Sequence, residues 1–202
     1  MFTDSVTAIP PGFDPIAQAS HAIGFSMPSD LQTGAFLKAM VGAKPGGAVL
    51  EIGTGTGLAT AWLLAGMDAQ STLVSIDNEQ EYQTIAGQFL GNDTRLTLVC
   101  ADAGNWLDAN KDQTFDLIFA DAWPGKYSHL DAALGLLAEG GMYVIDDMLP
   151  QPNWPEGHDQ NVDRLVADLE SRPDLHTVKL TWSTGLLVAT RKGTAPSTTK
   201  LN

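Results

Sequence analysis

The stretch Val49-Leu50-Glu51-Ile52-Gly53-Thr54-Gly55-Thr56-Gly57, with Asp77 closing the later run Leu73-Val74-Ser75-Ile76, decides the fold of this chain. Ala48 to Ile52 has the composition of a buried strand. Glycines at every second position then leave no side chain between the strand end and the next helix. Backbone N–H groups can approach a ligand closely there, and the helix presents its N-terminus to the same spot. Thr72 to Ile76 reads as a second buried strand. An acid at its end can accept hydrogen bonds from both hydroxyls of a ribose, which is the role expected of Asp77. These are the parts of a nucleoside-binding site.

The glycine spacing selects among nucleosides. Dinucleotide enzymes use G-x-G-x-x-G, with a pyrophosphate at the helix N-terminus. Here the spacing is G-x-G-x-G, preceded by Glu51, and no basic residue lies near the loop. This resembles the first motif of the class I S-adenosylmethionine-dependent methyltransferases. Their cofactor carries an amino-acid tail and a sulfonium in place of phosphates.

Working outward, strands and helices alternate. Helices are expected over 59–67, 79–90, 103–110 and 128–137, and strands over 72–76, 95–100, 115–120 and 142–145. Strands read as continuous apolar runs between helices predict a parallel sheet covered on both faces. Ser29-Asp30 can cap an earlier helix running to about Val41. Residues 148–157 hold three prolines and read as a loop. A helix over 159–172 and a hairpin formed by 176–182 and 186–191 complete the pattern. The expectation is a Rossmann-like α/β fold, a doubly wound seven-stranded sheet, mostly parallel with a C-terminal antiparallel hairpin. Residues 1–28 read as an irregular N-terminal arm, 29–192 as one domain and 193–202 as a polar tail. Phe2, Val6, Ile9 and Phe13 in the arm would suit packing on a second copy, a possible homodimer.

The 202 residues carry a formal net charge of −13 with eleven basic side chains, too few and too scattered for a phosphate-tracking surface, so no nucleic acid partner is expected. No apolar stretch approaches a membrane span, and residues 1–15 lack a basic start followed by an apolar block. A cytoplasmic protein with no membrane partner is the simplest expectation. Cys100, the single cysteine, excludes an intrachain disulfide and is expected to be a buried structural thiol.

Ligands of open parallel sheets bind beyond the carboxyl ends of the strands, where this chain places Asp77, Asp102, Asp121, Asp146 and Asp147. Asp102-Ala103 lies where an adenine amino group is held, with simple helix capping as the alternative for Asp102. Asp121, Asp146 and Asp147 fall on the acceptor side. Three clustered carboxylates are costly without a cation, and oxygen ligands suit Mg²⁺, Ca²⁺ or Mn²⁺. Trp123 and Trp154 could wall a flat acceptor. His158 reads as an exposed loop residue and His129 as a surface one. No Ser-His-Asp or Cys-His arrangement for nucleophilic hydrolysis can be assembled.

The segments Phe115-Asp116-Leu117-Ile118-Phe119-Ala120-Asp121, Tyr127 and Gly140-Gly141-Met142-Tyr143-Val144-Ile145-Asp146-Asp147 resemble the catechol and caffeoyl-CoA type O-methyltransferases. So does Gly24-Phe25-Ser26-Met27-Pro28, which is similar to a segment folding over cofactor and substrate. The resemblance implies S-adenosylmethionine and a divalent metal that binds both oxygens of a vicinal diol. Its metal ligands would be Asp121, Asp146 and Asp147, the last standing where the family has Asn. The family's general-base lysine follows the metal Asp by three residues. Here that position is Pro124, and Lys126 is the nearest candidate, to act as catalytic base beside Asp121. The expected cofactor contacts are Glu51, Gly53, Thr54, Gly55, Gly57, Asp77, Asn78, Asp102, Ala103 and Asp121. The acceptor would be a small-molecule hydroxyl, possibly a catechol. Three alternatives stay open: a metal-independent small-molecule methyltransferase, an NAD-dependent oxidoreductase and a non-catalytic nucleoside-binding module. The oxidoreductase is disfavoured by the glycine spacing and by the lack of a Tyr-x-x-x-Lys pair.

Overall fold

A computed structural model describes residues 3–152 and 154–194. Seven strands form one sheet: β1 (Ala48–Ile52), β2 (Thr72–Asp77), β3 (Leu96–Cys100), β4 (Phe115–Ala120), β5 (Leu137–Ile145), β6 (Leu175–Leu180) and β7 (Leu186–Arg191). Their order is β3-β2-β1-β4-β5-β7-β6. The first five are mutually parallel, while β7 pairs antiparallel with both β5 and β6. The seven helices of the described residues are α1 (Phe13–Ala22), α2 (Leu31–Gly42), α3 (Leu58–Gly66), α4 (Gln80–Leu90), α5 (Ala103–Ala109), α6 (Leu130–Gly135) and α7 (His158–Ser171).

The period-2 alternation of strand side chains divides the core between the two faces of the sheet. Leu50, Ile52, Ile118, Tyr143 and Ile145 pack with Leu107, Leu134 and Leu165 of α5, α6 and α7. Val49, Leu73, Leu117, Phe119 and Val144 pack with Ile16, Leu37, Leu63 and Ile85 of α1 to α4. Strands buried on both faces explain the near-continuous apolar runs of the sequence. No helix among the described residues is long and apolar enough to cross a membrane.

Several local expectations are corrected. The N-terminal arm contains α1, opened by Gly12 at φ 85° with Pro15 inside the first turn, where its missing N–H costs nothing. Ile16 is fully buried, and Phe13, one of the residues expected to pack on a second copy, meets Trp62 of this chain edge-on. Phe2 lies outside the described residues. Helix α6 is shorter than expected because His129 enters at φ 52° and Phe115 N–H takes the Leu136 carbonyl. Strand β5 starts earlier, absorbing Gly140-Gly141 through a register shift opposite Phe115–Leu117. Asp30 precedes α2 without capping it, since its carboxylate accepts from Ser183 instead. Cys100 is exposed because β3 is the edge strand.

Helices α2 and α3 meet at Gly34, where an added Cβ would fall 2.3 Å from Trp62 Nε1. Trp62 is only 2 % exposed and has nowhere to retreat. Gly34→Ala gains about 1 kcal/mol of helix propensity. Overpacking of this kind costs about 1–3 kcal/mol, so a lower Tm in thermal denaturation is the expected net result.

Candidate active site

Strand β1 hydrogen-bonds to β2 on one side and β4 on the other, so strand order reverses beside it and a crevice opens above its carboxyl end. Gly53 sits there at φ 102°, and a Cβ on it would lie 2.9 Å from the Asp121 carbonyl oxygen. Only glycine lets the β1 and β4 exits pass this closely. Gly55 follows at φ 51°, its N–H donating to Asp77 Oδ2 at 2.8 Å, while Asp77 Oδ1 accepts from Glu79 N–H at 2.9 Å. One carboxylate thus holds both the glycine turn and the start of α4, and keeps lone pairs for a ligand. From above, Phe25 covers Gly55 and meets Tyr82 edge-on at 4.9 Å. From behind, Ser20 of α1 reaches Thr56 at 2.7 Å.

The cavity formed here holds about 630 Å³, within the range for a nucleoside-sized ligand. Gly53, Thr54, Gly55, Asp77, Asn78, Asp102, Ala103 and Asp121 line it, whereas Glu51 and Gly57 do not. Gly57 instead packs against Leu90 and Ala86 of α4. Glu51 lies fully buried under the loop, its Oε2 accepting from Thr60 and Ser75, and Ser75 continues through Thr54 to Gln83. Burial pushes its carboxyl up to about 8, the two hydroxyls only partly opposing, and Oε1 has no partner. Glu51 thus props the turn from beneath, outside the cavity lining. Asp102 caps α5 through Asn105 N–H at 2.7 Å and also lines the cavity, so its two candidate roles coincide.

Sequence reasoning overlooked part of the wall. Ser29 lines the cavity and donates to Asp121 Oδ2 at 3.1 Å. His129, although exposed, also lines it, with its ring against Gly104. Its left-handed backbone conformation aims it there, and nothing local in the sequence signals that. His158 is buried, not exposed, with ring contacts to Trp123, Tyr127 and Trp154 and no partner for Nδ1. The two tryptophans thus belong to one aromatic group.

Asp121 lines the cavity, whereas Asp146, Asp147 and Lys126 do not; the three acids gather around Lys126. The Lys126 Nζ donates to Asp121 Oδ1 at 3.1 Å and to the Asp146 carbonyl at 2.9 Å, with the side chain only 6 % exposed. Burial alone would lower the lysine pKa, but Asp121, Asp147 and Asp146 outweigh it and hold the pKa above its ordinary value. The structure thus places the lysine expected to act as base in an ion pair with Asp121. Burial, then the Asp121 charge, raises Asp147 to about 6, against the pull of Lys126. Burial and Asp121 likewise lift Asp146 to about 7.

The three carboxylates do not fit a divalent metal as they stand. Asp121 offers one oxygen to Lys126 and the other to Ser29. Asp146 Oδ1 is taken by Thr184, Thr33 and the Asp147 N–H. Among the described residues no group of three or more His, Cys, Asp or Glu side chains is arranged to hold a metal ion.

A glycine turn tethered by the β2 acid at a sheet switch point defines a nucleoside-binding α/β protein, and comparison with known proteins gives the class. A sequence model described as a methyltransferase domain matches residues 50–148. A protein of Mycobacteroides abscessus named "Putative O-methyltransferase" is 32 % identical over 171 residues, covering 78 % of either chain. One of the same name from Mycolicibacterium vanbaalenii is 37 % identical over 103 residues, and there the match spans 46 % of the relative's length. This chain thus spans about half of several curated relatives it matches. The O-methyltransferase TomG of Streptomyces achromogenes, solved with S-adenosylmethionine, superposes with a TM-score of 0.80 at 23 % identity, covering 93 % of this chain and 92 % of that one. The chain belongs to the class I S-adenosylmethionine-dependent methyltransferases.

Proposed function

We propose that this protein transfers a methyl group from S-adenosylmethionine to an oxygen of a small acceptor molecule. One observation carries the reading: a single cavity runs from the Asp77-tethered glycine turn to Asp121, Trp123 and Ser128. The names of the relatives favour oxygen as the acceptor atom.

Asp77 and the Gly53–Gly55 backbone would hold the ribose and the amino-acid tail, and Asp102 with Ala103 the adenine. S-adenosylmethionine supplies a methyl group on a sulfonium whose departure as a neutral thioether needs no acid. The remaining tasks are alignment of the acceptor and removal of its proton. Phe25 and Trp123 bound the space in which the acceptor is aligned and water is excluded. Asp121, which lines the cavity, is the acid of the cluster placed to meet the acceptor hydroxyl.

Calorimetry with S-adenosylmethionine tests the reading, followed by transfer of labelled methyl to a panel of phenols, diols and amines. Asp77→Asn is expected to weaken binding roughly ten- to a hundredfold, the worth of one charge-assisted hydrogen bond of about 1.5–3 kcal/mol. Wild-type affinity in that variant would refute the nucleoside assignment. Methylation confined to amines would instead remove oxygen as the acceptor atom.

A further inference from the structure

We propose that Lys126 is a built-in cation standing in place of the divalent metal of the O-methyltransferases this chain resembles, which makes the site metal-independent. The inference deepens the proposed function and rests on it only for the link to turnover. Its basis is the placement of the ammonium. Nζ reaches Asp121 Oδ1 at 3.1 Å and the Asp146 carbonyl at 2.9 Å from a buried position.

The turn delivering Lys126 is fixed from below. Gly125 N–H takes the Ser128 carbonyl at 2.8 Å, and Tyr127 N–H takes that of Trp123 at 2.9 Å. The fully buried Tyr143 donates its hydroxyl to the Gly125 carbonyl at 2.7 Å. A Cβ at Gly125, which has φ 86°, would fall 2.9 Å from both Ile52 Cδ1 and Tyr143 Oη. Pro124-Gly125 therefore carries the lysine past the family position, and the turn sends its side chain back to Asp121.

Oxygen accounting makes the same point. Mg²⁺ demands near-octahedral oxygen ligation and Ca²⁺ six to eight oxygens. Both Asp121 oxygens and Asp146 Oδ1 are already committed to Lys126, Ser29, Thr33, Thr184 and the Asp147 N–H, which leaves Asp146 Oδ2 and the Asp147 carboxylate, too few oxygens for either ion. A dication would have to expel an ammonium that has no other buried acid to pair with among its bonded partners. Breaking a buried pair on one side only is strongly unfavourable. Removing the lysine should have the opposite outcome: oxygens come free, space opens, and the carboxylates become a site that does take a dication. Lys126 is thus a positioning residue, acting on the acceptor through the carboxylates it holds.

The experiment titrates Mg²⁺, Mn²⁺ and Ca²⁺ into chelator-treated wild type, Lys126→Ala and Lys126→Arg, following heat and Tm, with S-adenosylmethionine affinity measured on each. Wild type and Lys126→Arg should show no binding heat and no Tm change with metal. Lys126→Ala should bind a dication, and its Tm should climb by several degrees as metal is added. Wild-type turnover should be unchanged in EDTA. A wild type stabilised by metal, turnover lost in EDTA, or a folded Lys126→Ala that binds no metal would overturn the proposal. Should Lys126→Ala fail to fold, Lys126→Met keeps the length of the side chain without its charge and is read in the same way. If wild type does not bind S-adenosylmethionine, the proposed function fails, yet the metal titrations still decide the role of Lys126.

Discussion

Gly55→Val is expected to reduce binding of S-adenosylmethionine by a thousandfold or more while leaving the sheet folded. Two effects add at this position. The backbone sits at φ 51°, a left-handed conformation that a β-branched residue adopts only as a strained outlier. The new Cβ would also lie 2.9 Å from Phe25 Cζ, so the branches must push aside the ring that covers the loop or enter the cavity. Either movement disturbs the N–H that Asp77 holds and removes the close backbone approach on which the nucleoside half depends. Gly55→Ala separates the two effects. Alanine tolerates the left-handed region at a cost of about 1–2 kcal/mol, and Phe25 is the far end of a ring, not fixed backbone. Gly55→Ala should therefore bind weakly, and Gly55→Ala with Phe25→Ala should recover part of the loss. Calorimetry measures affinity and circular dichroism checks the fold. Wild-type affinity in the valine variant would show that the ligand does not lie against this turn.

Glu51→Gln is expected to flatten the dependence of stability on pH. The Glu51 carboxyl ordinarily titrates near 4.5, and burial raises it to about 8 in the folded protein. Between those values the folded state holds a proton that the unfolded chain releases. Stability from this group is therefore fully present below about pH 4.5 and is lost as pH rises through about 8. The slope is about 1.4 kcal/mol per pH unit, so between pH 5 and 8 wild type should lose up to about 4 kcal/mol that the glutamine variant keeps. Glutamine retains the acceptor oxygen for Thr60 and Ser75, so the network to Thr54 and Gln83 survives. Asp146 and Asp147 also titrate upward, but they contribute equally to both proteins and cancel in the difference. Urea unfolding at a series of pH values measures the two slopes. Parallel curves would show that Glu51 is ionised in the folded state.

Both variants test a region whose outline is local in the sequence. Apolar runs of five or six residues, broken by glycine or an acid and separated by amphipathic stretches, specify parallel strands and covering helices. Buried strands need little else, and so the sheet, its terminal hairpin and the glycine turn are all readable. The acids at the strand ends are readable too, because a parallel sheet exposes all its carboxyl ends on one edge. From that alone, Asp77, Asp102 and Asp121 can be placed around one cavity.

What each acid does was decided by tertiary structure. Asp121 and Asp146 take partners from Ser29, Thr33 and Thr184, residues remote in sequence and adjacent only after folding, besides the nearby Lys126. The direction of Lys126 depends on a turn pinned by Tyr143 from another strand. His129 reaches the cavity through a left-handed backbone, and Glu51 is withdrawn from it because two hydroxyls beneath the loop compete for its oxygen. Helix α1 escaped notice because Pro, Gly and Ser dilute its pattern, and its stability comes from Ile16 and Ser20 docking on elements far along the chain. The periodicity of apolar residues, a local property, determined the architecture. Many of the polar partners are non-local, and the tertiary structure alone determined which groups the strand-end acids meet.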